Sequence, residues 1–153
     1  MNSLNEKSVQ LEQLMPLIRE QLAQGKTVRF SPRGTSMLPM LRQGIDSVVF
    51  SPLPEKLKKY DLPLYQRQNG QYVLHRIVKV GDTYTCIGDN QFAYEPGLRH
   101  DQMIALVTEF YRGEKRHLVM DLPYRLYCCF WHYSRWPRRI WHAVCRRLKK
   151  LFK

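Results

Sequence analysis

Between residues 26 and 120 the sequence is cut into seven short runs rich in β-branched and aromatic residues, separated by Gly, Pro, Asn, Asp and Ser. The runs are 26–30, 47–50, 62–66, 71–80, 83–87, 103–111 and 117–120. This punctuation is how strands joined by tight turns read in sequence. Asn69-Gly70 marks a two-residue hairpin turn, because the favoured turn hand needs positive φ at both central positions, and Gly81-Asp82 marks a second tight turn. With almost no helical pattern between the strands, a mainly β fold follows: a coiled antiparallel sheet or small barrel. At 153 residues one hydrophobic core can form without covalent staples.

The two ends differ from this middle. Over residues 4–24, Leu11, Leu14, Met15, Ile18 and Leu22 recur at helical period, with Ser3 and Glu6 at capping-box spacing and Gly25 as the stop. Pro16 lies inside that pattern and removes one backbone hydrogen bond, so a kink or a helix in two pieces is expected. Residues 121–153 hold nine Lys or Arg against one acid, a net +8, whereas the first 120 residues hold 16 against 12, a net +4. All three tryptophans, Trp131, Trp136 and Trp141, lie in this basic segment. The chain therefore divides into an amphipathic helix (1–25), a β domain (26–120) and a basic, aromatic helical tail (121–153).

Several classes are set aside. No apolar stretch reaches the roughly 20 residues that cross a bilayer, and residues 1–10 lack the apolar core of an export leader. The expected location is cytoplasmic, peripheral to the inner face of a membrane. Four cysteines without a CxxC pair read as reduced thiols. No metal site and no cofactor is expected.

The chemistry begins at Gly34-Thr35-Ser36-Met37-Leu38-Pro39. A Gly two positions before a Ser permits a sharp turn, and Pro39 presets φ for a helical turn after it. Such a turn leaves amides near Ser36 free to bind an oxyanion, which a nucleophilic serine needs beside a base. His75 stands in the apolar run 73–78, where an imidazole must find a partner or lose hydration without compensation. Asp89, in Gly88-Asp89-Asn90, follows the next strand and is placed to orient that ring across the hairpin. Each feature alone is also what an ordinary loop, core histidine or turn aspartate would show.

In this order the segments resemble the signal peptidase I superfamily, which includes the self-cleaving SOS-type repressors, over residues 27–113. The stretch 34–39 looks like the nucleophile box Gly-x-Ser-Met-x-Pro. Residues 41–49 are similar to the following segment, although Ile45 separates Gly44 from Asp46, and 59–65 to the next strand, although Tyr60 stands where a Gly is usual. His75-Arg76 resembles the base segment of the histidine branch, the endoplasmic-reticulum and archaeal type, and Gly88-Asp89-Asn90 resembles its acid segment. The resemblance implies Ser36 as nucleophile, His75 as base, Asp89 as the acid that holds it and Glu95 as a lesser candidate for that role. Gly34, Thr35, Met37 and Pro39 then shape the substrate and oxyanion region, and Arg76 is structural.

The departures matter as much. Only a charged amphipathic segment precedes Ser36, where signal peptidases carry a membrane-spanning helix. No Ala-Gly dipeptide occurs for repressor-type self-cleavage. The tail suits an anionic membrane surface, with Trp131, Trp136 and Trp141 at headgroup level and Arg and Lys on acidic lipids. A docking helix with a solvated basic side is the plainer account, and nucleic acid is disfavoured for want of a recognised motif. Two function classes are expected: a serine endopeptidase acting on a peptide or protein, or a non-catalytic β domain that binds a peptide, membrane or nucleic acid through its groove or tail. A membrane partner protein supplying the missing span is a further expectation.

Overall fold

The computed structural model describes residues 2–151, and the side chains of 11–148. Helix α1, Asn2–Ala23, is one uninterrupted element. The expected break at Pro16 does not occur, because Pro16 lies on the exposed side, away from the buried Met15, Ile18 and Leu22 that anchor the helix. Gly25, at φ +73°, ends it: its amide reaches Leu22 O at 3.0 Å and that of Lys26 reaches Gln21 O at 3.0 Å. That pair of bonds is the Schellman closure, which favours glycine. The Ser3 and Glu6 side chains lie outside those described.

Nine strands follow in two antiparallel sheets. β1 (Val28–Phe30), β2 (Ser47–Ser51), β8 (Met103–Arg112), β3 (Pro63–Gln66) and β4 (Tyr72–Leu74) run in that spatial order, with β9 (Lys115–Leu118) also pairing β8. β5 (Arg76–Val80), β6 (Tyr84–Ile87) and β7 (Glu95–Leu98) form the second sheet. The mainly β expectation holds at this level, but among the described residues no barrel closes: β1 and β4 remain unpaired edges.

Two local expectations change and one strand is added. The run 71–80 is not one strand: it breaks at His75, where β4 leaves β3 in the large sheet and β5 joins β6 in the small one. The Asn69-Gly70 turn is longer than two residues. The Arg67 amide bonds Gln71 O at 2.8 Å around Gln68-Asn69-Gly70, with only Gly70 at positive φ, the three-residue alternative. β7 has no strand signature because Pro96 and Gly97 lie inside it; its pairing with β6 makes it a strand.

The main core joins Met15, Ile18 and Leu22 of α1 to Val48, Phe50, Leu64 and Val107 of the large sheet, and to Tyr124 and Cys128 of the tail. A smaller core gathers Tyr65, Ile77, Tyr84 and Cys86 between the sheets. The tail is two helices, α2 (Leu122–Tyr133) and α3 (Arg135–Leu151), with Pro123 in the first turn of α2, where a missing N–H costs nothing. No helix among the described residues is long and apolar enough to cross a membrane.

Candidate active site

A cleft of about 740 Å³ opens where the large sheet fails to close. Phe30 from edge strand β1 and Tyr72, Val73 and Leu74 from edge strand β4 line it, and Leu11 and Leu14 of α1 form part of the wall. Ser36 and His75 line this same cleft, with Gly34 and Met37. Two segments that the sequence separates by 39 positions are thus brought to one surface.

The Ser36 loop is held from both ends. The Gly34 amide donates to Gln43 Oε1 at 2.8 Å, the Leu38 amide reaches Thr35 O at 3.2 Å and that of Leu41 reaches Met37 O at 3.0 Å. Gly34 sits at φ +101°, which a side chain would resist, and the Leu38–Pro39 bond is cis, with Pro39 exposed. Met37 is buried in the main core and pins the turn below the serine. Across the loop, the Asn90 amide donates to Ser36 O at 2.8 Å and Asn90 Nδ2 to Thr35 O at 3.2 Å. Gly88 makes that approach possible: a Cβ there would stand 2.6 Å from Ser36 O. Among the described residues neither the Ser36 amide nor Ser36 Oγ has a hydrogen-bond partner, and Ser36 lines the cleft.

His75 is 3% exposed. Its Nδ1 lies 3.2 Å from the Tyr65 hydroxyl, which donates to Glu95 Oε2 at 2.8 Å. Glu95 is clamped by Arg67, Nε to Oε1 and Nη2 to Oε2, both 2.7 Å. Burial alone would raise the Glu95 pKa, but the hydrogen bonds from Arg67 and Tyr65 overcome it and hold the carboxyl below its usual range. Burial pushes the Tyr65 hydroxyl up, and its bond to Glu95 pushes it further. The proton positions follow. An ionised Glu95 only accepts, so the Tyr65 proton points to it, and the Tyr65 oxygen then accepts from His75 Nδ1–H. The Nε2 lone pair is left free, and Nε2 makes no hydrogen bond among the described residues. Burial lowers the His75 pKa to about 4 against the opposing pull of Glu95, which lies 3.8 Å from Nδ1. At neutral pH the imidazole is uncharged and able to accept a proton.

Asp89 lies elsewhere. Its carboxylate takes Arg76 Nε at 2.9 Å, Arg76 Nη2 at 2.8 Å and the Tyr127 hydroxyl at 2.9 Å, and makes no hydrogen bond to His75. The reason is the alternation of side-chain direction along the chain: Arg76, next to His75, points to the side where Asp89 lies in the turn after β6. Arg76 is itself 1% exposed and also donates to Tyr124 Oη and Cys128 Sγ, both at 2.8 Å. The expected acid-to-ring contact is therefore made by Glu95 through Tyr65. Nothing in the sequence marks out Tyr65 or Arg67. A Tyr on a β-rich run reads as a core aromatic, and only the β3–β4 pairing, Tyr65 opposite Val73, and the approach of β7 bring it beneath the ring.

Trp131 is also placed differently from the other tail tryptophans. Its Nε1 donates to Asp89 O at 2.8 Å and the Arg138 guanidinium stacks 3.5 Å from its ring, whereas Trp136 and Trp141 face outward. Asp46 is fully buried and accepts from Arg42 and the Gly113 amide; the Arg42 hydrogen bond, against burial, holds its carboxyl at about 2. It braces the turn after the Ser36 loop. No cluster of three metal-ligating side chains occurs among the described residues. Comparison with family models, with curated proteins and with solved structures gives no match for the chain.

Proposed function

We propose that the chain is a serine endopeptidase of the signal-peptidase type, with a histidine base. The observation that carries this reading is that Ser36, whose hydroxyl and amide have no partner among the described residues, and a neutral His75 line one cleft. The resemblance adds support at an unexpected place. Tyr60, which stands where the family has Gly, is the one non-glycine residue at positive φ among those described, at 76°. The backbone there keeps the shape that the glycine serves, although the side chain has changed.

The chemistry needs only groups already named. Ser36 Oγ attacks a peptide carbonyl while His75 Nε2 takes its proton, and the oxyanion that forms is met by the Ser36 amide. His75 then returns the proton to the departing amine, leaving an acyl-serine that water hydrolyses with the same base. Throughout, Tyr65 and Glu95 keep the second ring nitrogen protonated and offset the charge on the imidazolium. No hydrogen bond joins Ser36 and His75 in the free protein, so this mechanism requires the contact to form when substrate occupies the cleft. The unpaired edges β1 and β4 offer backbone groups to an extended peptide, and β4 runs directly into His75. Phe30, Leu74 and Met37 favour apolar side chains in that peptide.

The test is incubation of the full chain with a diverse peptide mixture, read by mass spectrometry for new termini. Cleavage by the wild type should fall by about three powers of ten or more in both Ser36→Ala and His75→Ala. Cleavage that persists in both variants, or no cleavage by the folded wild type, would overturn the reading.

A further inference from the structure

The two tail helices carry an apolar stripe that no described residue covers. α2 turns Tyr124 and Cys128 into the core and Tyr127 and Trp131 onto Asp89, while Leu122, Leu126, Phe130 and Tyr133, three or four positions apart, are exposed on its other side. α3 continues the pattern with Trp136, Ile140, Val144 and Leu148 at four-residue spacing, and Trp141 beside them. Phe130 is 69%, Trp136 72% and Trp141 68% exposed.

The side chains by which α3 touches the rest of the protein include polar ones, Arg135, Arg138 and His142, with the small Ala143 and Cys145 partly buried beside them. Arg138 stacks on Trp131, and the His142 ring lies 5.6 Å from that of Phe92. A helix docked for its own burial in water would have the opposite orientation. Around the stripe the charge is nearly all of one sign, nine Lys or Arg against Asp121 over residues 121–153. At the junction of the helices Arg135 is buried, and its Nε and Nη1 have no partner among the described residues. This region is short of negative charge as well as of apolar cover.

We propose that α2 and α3 form an in-plane dock for an anionic bilayer surface. Leu126, Phe130, Trp136, Ile140 and Trp141 enter the acyl boundary, and the flanking Arg and Lys meet acidic headgroups. A second copy of the chain is the poorer occupant, since pairing the stripes would bring two +8 segments together. The helices lie on the membrane rather than across it, neither being long and apolar enough to span. The dock sits beside the cleft: Asp89 O receives Trp131, Asn90 holds Ser36 O and Gln91 lines the cleft. The dock does not depend on the peptidase reading, and lipid binding is measured without it.

The experiment is co-sedimentation of the full chain with phosphatidylcholine vesicles, with and without about 30 mol% phosphatidylglycerol. Partitioning should be at least about 10-fold stronger onto the anionic vesicles and should weaken as salt rises to about 0.5 M. Trp136→Ser combined with Ile140→Asp should lower it about 10-fold or more with an unchanged thermal midpoint, the two side chains being exposed. Arg139→Glu with Arg146→Glu, both on the exposed surface, should do the same if the first pair fails to fold. No partitioning onto anionic vesicles, or partitioning indifferent to both pairs of substitutions, overturns the proposal. So does a dimer that Ile140→Asp dissociates, or retention on a polynucleotide, without lipid binding.

Discussion

At the scale of single residues, the proposed peptidase chemistry turns on which nitrogen of His75 is left free. A histidine between β4 and β5 has two nitrogens and one proton when neutral, and the chain Arg67, Glu95, Tyr65 assigns that proton to Nδ1. Tyr65→Phe keeps the ring and its packing but removes the acceptor. The Nδ1 proton is then unmet and the other tautomer becomes competitive, at a cost of about 1–3 kcal/mol for an unsatisfied buried donor. The expected outcome is a kcat about 10²-fold lower with KM little changed, and a shifted acid limb in the pH profile of kcat/KM. Steady-state kinetics on the cleaved peptide checks it; a variant with wild-type kcat would show that Tyr65 only fills space. An aspartate such as Asp89 is the residue that sequence reasoning assigns to this task, because the Gly-Asp-Asn segment is visible as a motif. A tyrosine interposed between acid and base has no motif.

At the scale of elements, the pair Arg76–Asp89 joins β5, the loop after β6 and helix α2. Both side chains are almost wholly buried, and the bidentate contact is supplemented by Tyr127 on the acid and Tyr124 on the base. Removing one charge from such a pair strands the other in a low-dielectric setting. Asp89→Ala is therefore expected to lower stability by about 3–5 kcal/mol and to loosen α2, seen as a lower urea midpoint and faster amide exchange in 122–133. Pairing it with Arg76→Met should recover much of the loss, because the buried charge goes too. If Asp89 instead acted on His75, Asp89→Ala would lower the rate of cleavage at unchanged stability. The same elements show where pattern reading reaches its limit. The stripe of α1 and the stop at Gly25 are written in consecutive residues, but the break at His75 is not. Residues 73–78 are uniformly apolar apart from His75 and Arg76, and nothing local says that the strand changes sheets there.

At the scale of the whole molecule, burying a neutral histidine ties stability to pH. The unfolded chain takes up a proton at His75 near pH 6.5, while the folded chain resists until about 4. Protons therefore favour the unfolded state between those values. The contribution is complete above pH 6.5 and falls as pH drops, by about 3 kcal/mol at pH 4. Asp46, held at about 2, adds its own loss only below the ordinary carboxyl range, so the two windows are separate. Urea unfolding at pH 7 and pH 4.5 measures this; the slope should flatten in His75→Asn, and an unchanged slope in that variant would assign it to other groups.

The local units can be read from neighbouring residues alone: short strands between turn residues, an amphipathic first helix, a basic aromatic end, and a serine and a histidine in distinctive surroundings. These are legible because periodicity, turn chemistry and charge are properties of neighbouring residues. Three outcomes come from folding in three dimensions: the sheet stays open as a cleft, Glu95 reaches His75 through Tyr65 while Asp89 binds Arg76, and Trp131 faces inward while Trp136 and Trp141 face out. Each of those outcomes depends on contacts between residues distant in the chain. Side-chain direction there is set by sheet pairing and helix docking, which no local pattern records.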